Sequence, residues 1–253
     1  MPICHHQNRK LYFEDKGKGI PIVFIHPPGM GRKVFFYQIF LTEKFRIILP
    51  DLSGHGNSEG KQAKFSIKEY AEEIKAILDN LQIEKAVICG YSSGGIVAQE
   101  FASLYSNRVL AMILSGGFPE VKSMLLKYEH LAGMFLLRKY PKVLIKVIAG
   151  SHTENKELKQ VLIDHMKKAD MNIWYQFYQE SLEYSCLKNI ENWTFPLLLI
   201  YGSRDFINKH IRNYPNGHFD AEFIVNAFHQ LPMKNWRSFN QIIENYLLKL
   251  KSH

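Results

Sequence analysis

A serine set between two glycines, Gly90-Tyr91-Ser92-Ser93-Gly94, is the stretch of this chain best suited to chemistry. It follows a β-branched apolar run at residues 86–89 and leads into a helix-patterned segment with Ile96, Val97, Phe101 and Ala102. A serine on so sharp a strand-to-helix turn sits in strained backbone with its hydroxyl lifted clear, and glycine neighbours let strand and helix close together. The helix aims its first N–H groups at the same point. Only one register fits, because Tyr91 rather than glycine stands two places before Ser93. Ser92 is the candidate nucleophile, and acyl transfer is the chemistry such a hydroxyl would do.

A hydroxyl nucleophile needs a base, and the base needs a group to orient it. Asp205 follows the apolar run 195–201, and His229 follows the run 221–228. If those runs are parallel strands, Ser92, Asp205 and His229 share the carboxyl edge of the sheet, where open α/β sheets carry their sites. His229 would take the Ser92 proton and return it to the leaving group, while Asp205 would hold the imidazole in the right tautomer. His218 also follows Asp205, but it precedes the last strand and falls at the opposite edge. Asp51 ends another strand inside a Gly-rich loop and reads as a residue that fixes that loop, through Asx-type bonds to its own turn.

The elements that must position these groups are legible in outline. Strand-like runs occupy 10–14, 20–25, 45–50 and 109–114, in addition to those already named. Ser66 opens a helix, with Glu69 three places on and apolar positions at Ile67, Tyr70, Ile74 and Leu78. A terminal helix runs from about Trp236. Strands alternating with helices predict an α/β architecture with a doubly wound, mostly parallel sheet. Between Gly117 and Phe195 no strand pattern appears, although a crossover needs only about a dozen residues. The expectation is a core domain made of 1–117 and 193–253, with 118–192 inserted as a helical cap over the carboxyl edge. Most apolar positions of the cap should pack against the core rather than line a pocket.

Composition narrows the function classes. The 253 residues, 46% hydrophobic, can bury one large core, and the net charge is +8. The excess is thin and spread: 11 Lys/Arg against 9 Asp/Glu in 118–192, and 10 against 9 in 21–117. A mixed solvated surface is the simpler account than nucleic-acid or anionic-membrane binding. No run of about 18 apolar residues could span a membrane, and the N-terminal residues lack the apolar core of a signal peptide. Cys4, Cys89 and Cys186 cannot all pair, and Cys89 lies in a buried-strand pattern. A reduced, cytoplasmic protein is expected, working on a small-molecule substrate as a monomer or homodimer without nucleic-acid or membrane partners. His5-His6 has no further ligands nearby, so neither a metal nor another cofactor is expected.

The chain resembles the α/β-hydrolase superfamily, in the branch of cap-bearing, carboxylesterase-like serine hydrolases. The marks are His26-x-x-Gly29, Asp51-Leu-Ser-Gly-His-Gly-Asn-Ser58, Gly90-x-Ser92-x-Gly94, Gly202-Ser-Arg-Asp205 and His229 ahead of Pro232. The resemblance covers everything but the cap. It implies a catalytic triad of Ser92, Asp205 and His229 on a nucleophile elbow, with the Ser93 N–H in the oxyanion hole and Tyr91 and Met30 against the substrate. Relatives with an aspartate at the elbow, the epoxide hydrolases and haloalkane dehalogenases, differ at Ser92. In the family the second oxyanion donor is the residue two after the histidine. Here that residue is Pro28, which has no N–H. Losing one such donor costs about 2.7–4 kcal/mol in the transition state. Gly29 is the expected substitute. The implied activity is cleavage of an ester or thioester of a small, largely apolar molecule through an acyl-enzyme. The alternatives are C–C bond hydrolysis or a lyase step with the same triad, or slow-turnover ligand sensing.

Overall fold

The computed structural model describes residues 2–60, 65–215, 217 and 219–251. Eight strands make one sheet: β1 (Ile3–His6), β2 (Arg9–Lys16), β3 (Pro21–Ile25), β4 (Arg46–Pro50), β5 (Ala86–Tyr91), β6 (Val109–Ser115), β7 (Leu197–Gly202) and β8 (Asp220–Ile224). Their spatial order is β1-β2-β4-β3-β5-β6-β7-β8. Pairing is parallel from β4 to β8 and antiparallel where β2 meets β1 and β4.

Central strands are buried on both faces, and their side chains alternate between two cores. From β5, Ala86 and Ile88 enter one core, and Val87, Cys89 and Tyr91 the other. Such a sheet must be covered on both sides. On the first side lie α1 (Ile67–Asn80) and α2 (Gly94–Leu104), through Ile74, Leu78 and Phe101. On the second lie the 3-10 segment Arg32–Glu43 and α9 (Trp236–Lys251), through Phe35, Leu41, Phe239 and Ile243. The start of α1 has the expected capping box: Ser66 Oγ accepts from Glu69 N–H at 3.3 Å, and Glu69 Oε2 accepts from Ser66 N–H at 3.1 Å.

Between β6 and β7 the chain is helical apart from one isolated bridge, Glu120 with Ser185. The helices are α3 (Met124–Lys139), α4 (Pro141–His152), α5 (Lys156–Met166), α6 (Met171–Glu183) and the short α7 (Leu187–Ile190). Each of the first four has a recognisable start. Ser123, Asn155 and Asp170 cap α3, α5 and α6 through side-chain oxygens, and Pro141 opens α4. A second short helix, α8 (Leu231–Lys234), precedes α9.

One expectation needs correcting, and one strand is an addition. The apolar run 221–228 is not strand throughout: β8 ends at Ile224, and Asn226 turns the chain with φ 58°. Phe223, Val225 (76%) and Phe228 are exposed at the sheet edge, while Ile224 and Ala227 enter the core. The strand β1 has too short an apolar signal to be read from sequence. It pairs with β2 through a tight hairpin in which Gln7 (φ 46°) and Asn8 (φ 61°) are both left-handed, as a two-residue turn requires. His218 lies outside the described residues. All three cysteines are free and buried.

Candidate active site

The turn from β5 into α2 holds Ser92 at φ 52°, a left-handed conformation that costs energy for any residue with a side chain. Two contacts impose it. A Cβ on Gly90 would lie 2.5 Å from Gly95 Cα, and one on Gly94 would lie 2.2 Å from the Ile25 carbonyl oxygen. Strand, helix and the neighbouring β3 therefore meet at distances only glycine allows. Ser92 N–H is tied to Ser115 O at the end of β6, at 2.8 Å.

Asp205 and His229 come together at the ends of β7 and β8. Arg204 N–H donates to Ala227 O at 2.9 Å and Asn226 N–H to Ser203 Oγ at 2.9 Å, lacing the two loops. Asp205 is buried. One carboxylate oxygen accepts from Ile207 N–H at 3.0 Å, and the other accepts from His229 Nδ1 at 2.7 Å. With its proton on Nδ1, His229 leaves Nε2 bare. Burial works against a charged ring, but the bond and charge of Asp205, with Glu129 beyond, raise the His229 pKa above its ordinary value.

The bend after β6 supplies a site residue that no motif marked. Gly116 is left-handed (φ 56°), and a Cβ there would fall 2.5 Å from His229 Cε1 and 2.7 Å from Nδ1. The imidazole rests on this glycine.

Ser92 and His229 line one cavity of about 140 Å³. Of the other expected site residues, Tyr91, Met30 and Ser93 line it as well. Gly29 is at φ 78°, and its open side abuts the Trp174 ring of α6, 2.1 Å from where a Cβ would stand. Pro28 lines the cavity beside Met30. This loop is fixed by His26: Nε2 accepts from Leu52 N–H at 3.0 Å, so the proton is on Nδ1 and is donated to Pro27 O at 2.9 Å. Burial lowers the His26 pKa to about 4, keeping the ring neutral.

The helices between β6 and β7, the segment expected to form the cap, provide the site residues that sequence reasoning missed. His130 on α3 and His152 on α4 are built alike. Each donates Nδ1–H to the carbonyl four residues back, Leu126 O at 2.9 Å and Ile148 O at 2.8 Å. Each then offers a bare Nε2 to a hydroxyl beside Ser92: His130 to Ser93 Oγ at 3.3 Å, His152 to Tyr91 Oη at 3.0 Å. Both rings are buried, which lowers their pKa values, that of His152 to about 4. A third cap histidine, His165 on α5, contacts Asp51 Oδ1 at 2.9 Å. Asp51 does fix its loop, accepting from Asn57 N–H at 2.9 Å, but it also pairs with buried Arg32 and so ties the loop to the 3-10 segment and the cap. The sequence signal for these histidines was their register: His130 falls on the face of Leu126, Gly133 and Leu137, and His152 on that of Ile145 and Ala149. Glu129 completes the wall as an acid at the cavity rim. Its carboxyl is raised by burial, held down by His229, and raised again by Asp205. Among the described residues no group of three His, Cys, Asp or Glu side chains is placed to hold a metal ion.

Comparison with known proteins gives a consistent placement. The model of the alpha/beta hydrolase fold matches residues 20–148. The AB hydrolase superfamily protein YisY of Bacillus subtilis is 38% identical over 90 residues, 35% of this chain and 34% of its own length. A putative carbamate hydrolase, RutD of Azorhizobium caulinodans, is 29% identical over 147 residues, 58% of this chain and 56% of that one. The chain thus spans between a third and a little over half of these relatives. Among solved structures, an esterase from Exiguobacterium antarcticum superposes with a TM-score of 0.86 at 19% identity, covering 96% of this chain and 98% of that chain.

Proposed function

Because the chain belongs to the α/β-hydrolase fold family, we propose that it is a serine hydrolase cleaving an ester or thioester of a small, uncharged, largely apolar molecule. The observation that carries this reading is the strained Ser92 sharing one cavity with His229, whose other nitrogen is held by Asp205. Ser92 Oγ attacks the carbonyl carbon while His229 Nε2 takes its proton. The imidazolium so formed is stabilised by Asp205, and it gives the proton to the departing oxygen or sulfur. Water then enters, His229 acts as base again, and the acyl group leaves Ser92. Backbone N–H groups of Ser93 and Gly29 hold the oxyanion. Tyr91 and Met30 bound the substrate. The core of 1–117 and 193–253 carries the chemistry, and the cap 118–192 closes over it.

Size and charge define the substrate class. A cavity of about 140 Å³ is close to one that takes a single benzene ring, which favours a short acyl or aryl group. Glu129 on the wall disfavours carboxylate or phosphate groups, and so counts against coenzyme thioesters. The lining Pro28 favours a second reading, a ligand-binding protein with slow turnover.

Fluorophosphonate labelling read by intact mass tests the first reading. Stoichiometric labelling that Ser92→Ala abolishes is expected, along with turnover of acetyl and butyryl aryl esters. A wild-type protein that neither labels nor turns over, but melts at higher temperature with a ligand, would establish the second. Pro28→Gly tests the oxyanion assignment: with Gly29 already donating, kcat should change less than about threefold, whereas a gain near 10²-fold would mean that a donor had been missing.

A further inference from the structure

We propose that the outer face of α3 and α4 docks the cap onto an anionic lipid surface. On α3, Met124, Tyr128, Leu131 and Phe135 recur at helical spacing on the solvent side, and Val143 and Val147 continue the stripe on α4. Phe135 is 58% exposed and Val147 57%. The stripe is continuous across the helix junction, where the rings of Phe135 and Tyr140 lie 6.5 Å apart. Apolar side chains this numerous on one exposed face mark a surface made to be covered.

Charge selects the occupant. Lys127, Arg138, Lys139, Lys142 and Lys146 stand exposed on the same two helices, and Glu129 is their one acidic residue. The near balance over residues 118–192 is an average of two unlike parts: 122–146 holds six Lys/Arg and one acid, while 147–192 holds five and seven. An apolar stripe rimmed by lysines lies in an interface with its apolar side chains among acyl chains and its cations at anionic headgroups. A second copy of this chain would bring the same lysine rim against itself, where like charges repel. No helix among the described residues is long and apolar enough to cross the bilayer, so the contact is with its surface. The opposite faces of these helices carry Leu126, His130, Ile148 and His152 of the cavity wall. Docking therefore sets the cavity about one helix diameter, roughly 10 Å, from the lipid.

The test is co-sedimentation of the full chain, as Ser92→Ala so that nothing turns over, with two vesicle preparations. One is phosphatidylcholine alone; the other contains about one third phosphatidylglycerol. Binding to the anionic vesicles alone is expected, falling steeply at about 0.5 M salt. Each reversal among Lys139→Glu, Lys142→Glu and Lys146→Glu should weaken partitioning about fivefold or more. Phe135→Ser with Val147→Ser should weaken it separately while melting temperature holds. Binding to neither vesicle, equal binding to both, or indifference to both sets of variants overturns the proposal. So does a concentration-dependent dimer, by light scattering, that Phe135→Ser abolishes. Because lipid binding is read without catalysis, its failure leaves the hydrolase reading standing, and the reverse also holds.

Discussion

Two kinds of histidine surround the same elbow, and their partners make them opposites. His229, in the core, gives its Nδ1 proton to a carboxylate, and the neighbouring negative charges raise its pKa. His130 and His152, in the cap, give theirs to backbone carbonyls, and burial without a countercharge lowers their pKa values. The ring is the same. A carboxylate makes it a base able to hold a proton for part of a cycle, and a carbonyl makes it a fixed acceptor. Near one serine, the proposed mechanism gives the first kind the chemistry and leaves the second kind to hold the elbow still.

Removing the carboxylate is the strongest way to erase that difference. Asp205→Asn should lower kcat by about 10⁴-fold with little change in melting temperature, since the amide cannot enforce the Nδ1–H tautomer. Steady-state kinetics on a short aryl ester checks it. Disturbing the seat of His229 comes next. Gly116→Ala places a methyl where the ring lies, and displacement of about 1 Å costs about 10²-fold in kcat/KM. Labelling of Ser92 by fluorophosphonate should slow in parallel.

On the cap side the effects are energetic. His152→Leu leaves the buried Tyr91 hydroxyl without its acceptor and should cost about 1–3 kcal/mol, several degrees of melting temperature. Tyr91→Phe added to it should recover most of that loss, because removing both partners leaves nothing unsatisfied.

The pH response separates the two classes more finely. If His229 is the base, as proposed, its neutral form is the active one, and kcat/KM should rise with pH about a midpoint above the ordinary histidine value of about 6.5. His152 acts on stability with the other sign. Its folded pKa of about 4 lies below the unfolded value, so its contribution is complete above about pH 6.5 and is lost as pH falls through 4. In thermal melts from pH 7 to 4, His152→Gln should flatten the acid-side decline. The kinetic midpoint should stay where it was.

What could be read in the sequence follows the same division. Ser92, Asp205 and His229 follow strand ends, by one, three and five residues, and apolar runs and a glycine-spaced turn announce them. Their chain order limits how they can meet. The helical nature of 118–192 was legible from periodicity, and Ser66 with Glu69 marked a helix start to the residue. His130, His152 and His165 were not legible as site residues. A histidine on the apolar face of a helix looks the same whether it meets leucine or the hydroxyl of Tyr91, and only tertiary packing decides which. Gly116 was missed because one glycine after a strand reads as a turn, while the ring resting on it arrives from a residue far along the chain. The end of β8 was overextended because Phe223, Val225 and Phe228 are apolar yet exposed, so the pattern lacked the burial that usually accompanies it.

The three cap histidines also set terms for engineering. Each reaches a different element of the core, Ser93 and Tyr91 on either side of the nucleophile and Asp51 in the loop after β4. Transplanted helices, however well their leucines fit, would strand the Tyr91 and Ser93 hydroxyls and take one donor from the Asp51 carboxylate, which keeps Arg32 and Asn57. Exchange of these helices between relatives should succeed when the incoming helices bring acceptors to Tyr91 and Ser93 and a donor to Asp51, or when Tyr91, Ser93 and Asp51 are exchanged with them. In modular terms, these helices are a cartridge keyed by three side chains.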